Sequence, residues 1–470
     1  MSSNIPESLL TRPMATVSTM NVETSVLEPT LITPKFARFV LERKGILDTG
    51  SVLKLQVKTA DAAGGWLPIK TGIHAAIERA TLRIGSKIVA ITDQYSHYQT
   101  MRRAFKTTEE KSLKDMVKAG TLDAVAPSPE QDGTVALKDA LYLGTTTAGL
   151  QQAQYTLTNS DTTTPEFTIK LSELFPMMRN VQLPLYVINE PCSIEVTFKS
   201  QADGTAGVLA GLSSTATSTA ASVVPGSVQF LADYLTYDDD RMSKTAAMVM
   251  SKSGMVMPYE DVVLTTSQIP AVAPLPGAGA VAPQNIVRDL GLSGMSVRGV
   301  LVHLGTDSTT DNIVGQYKSE AFPVDDSVQV RVNDRQIYPR ELTRVTQKQH
   351  QLSQVFNTDL SIHSAEYSFN LATDKTAADR TITNKMVSQN CTLGGRDQAP
   401  LEGSQYYLGF DLTSDPLGAP GSGTTIGQKP LQMLHTIRRT ADSNAARQLK
   451  YYSLVERQMV IKGGQVMVSA

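Results

Sequence analysis

The chain is short of the residues from which most chemical sites are built. Cysteine occurs only at Cys192 and Cys391, far apart in sequence, which excludes a disulfide-stapled scaffold. The two sulfurs either pair or stand as buried thiols in a reducing compartment, and the thiols are the plainer reading. Histidine is scarce as well. His74, His97, His303, His350, His363 and His435 form no H-x-H or H-E-x-x-H spacing, so no metal site is expected. Aromatic residues make up 6% of the chain and tryptophan appears once, at Trp66, which leaves little for stacking sugars. Net charge is only −2, without the basic stripe that phosphate-dominated nucleic-acid binding requires. No run reaches the roughly 18 apolar residues of a membrane span. The best candidate, Ile269 to Pro283, is cut by proline and glycine. The first residues, MSSNIPESLLTRPMATVSTM, lack a basic start and an apolar core. The expectation is a soluble protein made and assembled inside a cell.

What is present is β grammar. Between Thr164 and Lys199, Phe167, Ile169 and Leu171 alternate with polar neighbours, as do Ile194, Val196 and Phe198, the period of a half-buried strand. Between them, Val181 to Ile188 is nearly continuous but broken by Pro184, which fits an extended lead into a buried strand. Phe36 to Leu41 and the alternating Leu53, Leu55 and Val57 predict strands, with a turn at Asp48-Thr49-Gly50. Ala80 to Ala90 alternates on both sides of Gly85-Ser86, a two-residue hairpin signal. From Ser96 to Ala119 the period becomes helical, with a break at Thr107-Thr108. This is the most basic region; a solvated face and an anionic partner both account for it. Val228, Phe230 and Ala232 alternate again. Asp238-Asp239-Asp240 then precedes a helix over Met242 to Met250, where carboxylates suit the positive helix end better than a metal.

The pattern then restarts. Val262 to Leu264, Val297 to Leu304, Gln405 to Leu412 and Leu431 to Ile437 read as strands, and Gly463-Gly464 as a closing hairpin turn. Ser327 to Tyr338 is a hairpin turning at Asn333-Asp334. Its Val330-Arg331-Val332-Asn333-Asp334 echoes Leu82-Arg83-Ile84-Gly85-Ser86 about half a chain away, a sign of internal duplication. Stretches 202–226, 271–283 and 357–404 are polar or rich in Ala, Gly, Ser, Thr and Pro and read as surface loops. Two β-sandwiches in tandem accommodate all of this. The expected division is an arm over 1–30 that orders only against a neighbour, a first domain over 31–237 and a second over 238–470.

With these residues in order, the chain resembles the double jelly-roll major capsid proteins of icosahedral DNA viruses. The likeness is to the lineage of nucleocytoplasmic large DNA viruses, Polinton-like viruses and virophages. Five stretches carry it. Leu82 to Ile88 followed by Asp93 resembles the family's IGG-x-x-I-D hairpin. Leu183, Pro184 and Leu185 with Glu195 and Val196 resemble its ALPL…EV segment. Asp233 and Tyr234 with Arg241 resemble its strand-to-helix junction. Val330 to Arg340 resembles its second-domain hairpin, and Tyr451 to Met467 its C-terminal strand pair. Gly85-Ser86 stands where the family has Gly-Gly, and Asp240 where it has glutamate, which points to a divergent branch.

The resemblance implies a mainly β fold of two tandem antiparallel eight-stranded jelly rolls with short helices in loops. It implies a virion protein that is not an enzyme and has no cofactor. Such a protein self-assembles as a homotrimeric, pseudo-hexagonal capsomer tiling an icosahedral shell around a DNA genome, with long loops outward. The partners implied are neighbouring capsomers, penton and minor capsid proteins, and an internal membrane. The rival from another class is a two-jelly-roll carbohydrate-binding or glycan-processing protein, which the scarcity of aromatics disfavours. Gly418 to Thr424 lacks the lysine of a P-loop, and Gly291-Leu292-Ser293-Gly294 misses the spacing of a nucleophile elbow.

Overall fold

The computed structural model describes residues 20–59, 65–66, 71–104, 156–157, 166–179, 181–199, 221–237, 239–270, 284–306, 327–343, 345–355, 408–413, 423–437 and 447–469. They form two antiparallel β-sandwiches. In the first, one sheet runs β1 (Asn21–Leu27), β14 (Gln229–Thr236), β5 (Val52–Leu55), β11 (Phe167–Lys170), with β4 (Ile46–Leu47) also on β14. The facing sheet runs β2 (Leu31–Thr33), β3 (Phe36–Val40), β12 (Cys192–Phe198), β8 (Ile77–Ile84), β9 (Lys87–Thr92). Two ribbons lie beside them, β6 (Val57–Thr59) with β13 (Ala221–Val223) and β7 (Gly65–Trp66) with β10 (Thr156–Leu157).

In the second sandwich one sheet runs β15 (Met255–Ile269), β23 (Arg447–Lys462), β17 (Ser296–Thr306), β20 (Leu408–Asp411). Here β21 (Thr424–Thr425) pairs with β17, and β24 (Gln465–Ser469) with β23. The facing sheet runs β16 (Gln284–Asp289), β22 (Gln432–Ile437), β18 (Ser327–Val332), β19 (Arg335–Gln336). Helices α1 (Tyr95–Ala104), α2 (Leu171–Leu174), α3 (Asp239–Met250) and α4 (Val345–Val355) sit in the connections.

The two strand orders match position by position. β1-β14-β5-β11 corresponds to β15-β23-β17-β20, and β3-β12-β8-β9 to β16-β22-β18-β19. Each follows the double Greek-key succession of a jelly roll. The hairpins β8–β9 and β18–β19, whose sequences echo each other, occupy equivalent places, and a helix follows each, α1 and α4. Their turns solve the same problem with different residues. Gly85 takes φ +60°, while Asn333 and Asp334 take +51° and +66°, values those two side chains tolerate.

Alternation along the strands builds the cores. Leu53, Phe167, Ile169, Phe230 and Tyr234 face Phe39, Leu82, Ile194 and Val196 in the first sandwich; the Phe39 and Phe230 rings lie 5.9 Å apart. Val300, Val302, Tyr451 and Phe410 face Val328, Val330 and Met433 in the second. The first core also takes Met257, Tyr259, Met459, Ile461 and Val466 from strands of the second half.

Several expectations are corrected. The arm placed over 1–30 contains β1, paired with β14 from Asn21↔Thr236 to Leu27↔Phe230. Its side chains are mostly exposed, so the backbone ladder orders it and the sequence shows little apolar period. Residues 1–19 lie outside the described residues. Leu183 to Leu185 is not an extended lead into a strand. Leu183 makes one bridge to Leu47, Leu185–Val187 is a single 3-10 turn, and β12 begins only at Cys192. Proline's fixed φ suits that turn. Val262 to Leu264 is the middle of the fifteen-residue β15. Pro258 within it is tolerated because β15 pairs only with β23, on one side. Part of the loop expected over 202–226 is β13, held to β6.

Candidate assembly interface

The residues that carry the resemblance tie the first sandwich together. Leu183, Pro184, Leu185 and Val196 are buried. The Leu47 amide donates to Leu183 O at 2.8 Å, and Leu47 also pairs with Tyr234, so β4 links the two. The Tyr234 hydroxyl accepts the Glu42 amide at 3.1 Å, and burial pushes this phenol up to about 12. Asp233 accepts from Thr24 Oγ1 at 2.6 Å, fastening β1 to β14. Glu195 accepts from Arg83 Nε at 2.8 Å and faces Arg38 at 3.8 Å, one partner from each adjacent strand. Arg241 lies at the start of α3. These eight residues do not converge on one site: Glu195 and Val196 belong to one sheet, Asp233 and Tyr234 to the other.

Charged residues that sequence reasoning missed line the contact between the halves. Arg179 Nη1 is 3.4 Å from Glu260 Oε1, and Arg298 Nη1 is 3.1 Å from Glu260 Oε2. Arg298 Nε also lies 3.9 Å from Glu456. Asp261 is fully buried on β15. Arg457 Nη1 stands 3.1 Å from it, and the amides of Ile91 and Val262 face it. Burial outweighs these partners and raises the Asp261 carboxyl from 3.8 to about 6. The available signal was Glu260-Asp261, two carboxylates inside an otherwise apolar run from Met255 to Leu264.

Beside this charged line lies an apolar one. Tyr98 and Met101 of α1 pack with Val262, Leu301, Tyr452, Leu454 and Leu352. The strand residues among them belong to a cluster separate from the second core. Thus the outer face of β15-β23-β17 is buried, in part under a helix of the first half. The basic helix read from sequence therefore docks within the chain over Tyr95–Ala104; residues 105–119 lie outside the described residues.

Among the described residues, the equivalent face of the first half is partly exposed, with Leu235 on it buried. By strand register, Val22, Leu235 and Ile46 form one row on the outer side of β1-β14-β4, and Val26, Leu231 and Val52 form another across β5. Val22 is 50% exposed and Val26 57%.

Among the described residues, no group of three or more His, Cys, Asp or Glu is placed to hold a metal. No described helix is long and apolar enough to cross a membrane. Cys192 is a buried free thiol that burial pushes up to about 12; Cys391 lies outside the described residues. In the glycine-rich stretch near Thr424, the Gly423 amide donates to Glu456 at 3.1 Å and is not open to a phosphate.

No protein-family model and no curated protein sequence matches the chain. Solved structures do. A quasi-atomic structure of the PBCV-1 virus capsid superposes with a TM-score of 0.58 at 11% identity, covering 98% of this chain and 99% of that one. The Faustovirus major capsid protein gives 0.54 at 8% identity over 96% and 92%. The mavirus major capsid protein gives 0.51 at 10% identity over 95% and 90%. The chain therefore has the double jelly-roll fold in common with these viral capsid structures.

Proposed function

We propose that the chain is a viral major capsid protein that assembles as a homotrimeric, pseudo-hexagonal capsomer and tiles an icosahedral shell around a DNA genome. It acts in the virion as a structural protein, not as an enzyme. One observation carries this reading. Among the described residues, the outer face of the second half's sheet is buried in part under α1 of the first half, while the equivalent face of the first half carries exposed Val22 and Val26. A second copy, presenting its second half to that face, repeats the contact already made within the chain. Such a head-to-tail contact is heterologous and closes into a ring when the rotation permits; six halves make three chains.

The strand ends bear on orientation. The turns at Gly85, Asn333 and Gly463 share one end, and residues 105–155, 200–220, 307–326 and 438–446 depart from or return to the other. We place the loop end outward, with neighbouring capsomers at the flanks and penton and minor capsid proteins at the shell's vertices and seams. The turn end, facing inward, carries the outward row Val256, Val460 and Met467 and exposed Met248 and Met250. Lys252 and Lys462 are also exposed there, an apolar and basic character suited to an internal membrane.

Light scattering and negative-stain imaging of the purified protein test the reading. Trimers with a six-sided outline are expected; a monomer at assembly concentrations would refute it.

A further inference from the structure

The last strand of the chain is built into the wrong half. Hairpin β23–β24 belongs by pairing to the second sandwich, yet Met459, Ile461 and Val466 are buried in the first core, with Val468 packed against it. Three polar contacts tie it to the first half, through Asn189, Lys87 and Glu190, and a fourth ties it to α3. The Asn189 amide donates to Gly464 O at 2.8 Å, and the Gly463 amide donates to Val249 O at 3.0 Å. Lys87 Nζ donates to Val466 O, and the Val466 amide donates to Glu190 at 3.4 Å. The Lys87 and Glu190 contacts occupy both backbone groups of Val466 on the free edge of β24, which would otherwise be open to pairing.

The fit at the tip is specific. Gly463 and Gly464 take φ +57° and +81°, the pair of positive values of a type I′ turn. A Cβ on Gly464 would lie 2.2 Å from Asn189 Nδ2, and Asn189 is itself held by Arg43 at 2.8 Å. Among the described residues, nothing in the topology of the first half replaces the hairpin: β14, the counterpart of β23, runs into α3 instead of a further strand.

We propose that this hairpin is an intramolecular clasp, and that the first jelly roll becomes stable only when hairpin β23–β24 has been made and docked. Lys87 and Val466 are 379 residues apart, so synthesis must reach Val466 before the first core closes. Chains cut short before the hairpin would then be kept out of assembly. That last consequence rests on the capsomer reading; the clasp itself does not.

Hydrogen exchange read by mass spectrometry separates the two. A chain ending at Lys462 and full-length Gly464→Val are compared with the parent. Loss of protection is expected in peptides covering 82–92 and 183–198 of the first half, with 327–332 and 432–437 of the second half unchanged. Full protection of the first-half peptides in both variants overturns the clasp, as does loss confined to the second half. If the shortened chain yields no folded protein, full-length Gly464→Ala decides on the same peptides, selective loss supporting the clasp and uniform or absent change overturning it. A clasp upheld in a protein that never forms trimers would leave the exchange result intact and remove only the consequence for assembly.

Discussion

Tyr259 donates its hydroxyl to Val89 O across 2.7 Å, and Val89 is the residue left over where the β8–β9 ladder shifts register. A bulge leaves a backbone group without a ladder partner. Here the second half supplies the donor, so an irregularity in one sandwich becomes a fastening point for the other. Tyr259→Phe removes the donor and keeps the ring. It should cost about 1–3 kcal/mol, seen as a lower midpoint in denaturant with an unchanged slope.

Asp261 makes the contact between halves sensitive to acid. Its carboxyl titrates near 6 in the folded chain against an ordinary 3.8. The native state therefore binds more protons than the unfolded state between about pH 4 and 6, and stability falls as pH rises through that window. Moving from pH 7 to pH 5 should favour the parent over Asp261→Asn by about 1 kcal/mol. Equal pH slopes for the two proteins in urea titrations would show that Asp261 does not contribute.

The partly exposed face of the first half can be tested one residue at a time. Val26 is more than half exposed and touches no core. Val26→Lys should leave the melting temperature of the monomer within a degree or two, since an exposed site costs little. It should abolish trimers by desolvating a charge in the contact. Retention of trimers by the variant in light scattering would place the subunit contact elsewhere.

Gly409 marks the point where α4 meets the sheet. A Cβ there would stand 2.7 Å from Leu352 Cδ1 and 3.2 Å from both Leu301 and Val355. Gly409→Val should overpack this contact and destabilise the chain by about 1–3 kcal/mol. Proteolysis should begin near Val345–Val355 before it begins in the first half.

Much of the fold was legible because strands with one buried face must alternate. Phe167/Ile169, Ile194/Val196/Phe198 and Phe230/Ala232 were found on that ground, and the Gly85, Asn333 and Gly463 turns from their backbone demands. The duplication was readable only faintly, in Arg83 and Arg331, because equivalent positions share a place in the topology without sharing side chains. β1 was lost because its order comes from a partner more than 200 residues away, not from its own apolar content. The candidate interface was hardest to read. Ion pairs such as Arg179 with Glu260 leave no periodic trace, and an apolar outer face looks in sequence like an ordinary strand. Leu183, Pro184, Glu195, Asp233 and Tyr234 carried the resemblance, and in this structure they brace one sandwich.

Because α3 and the β23–β24 hairpin have no counterpart among the described residues of the first half, the contacts around the proposed ring of halves would not all be equal. In the proposed ring, every second contact lies within one chain and is reinforced by covalent continuity and the proposed clasp. Under heat, force or dilution such a ring should part at alternate seams and release whole chains with both sandwiches still docked. The repeating particle that can be recovered and reassembled is then the single chain, not the half.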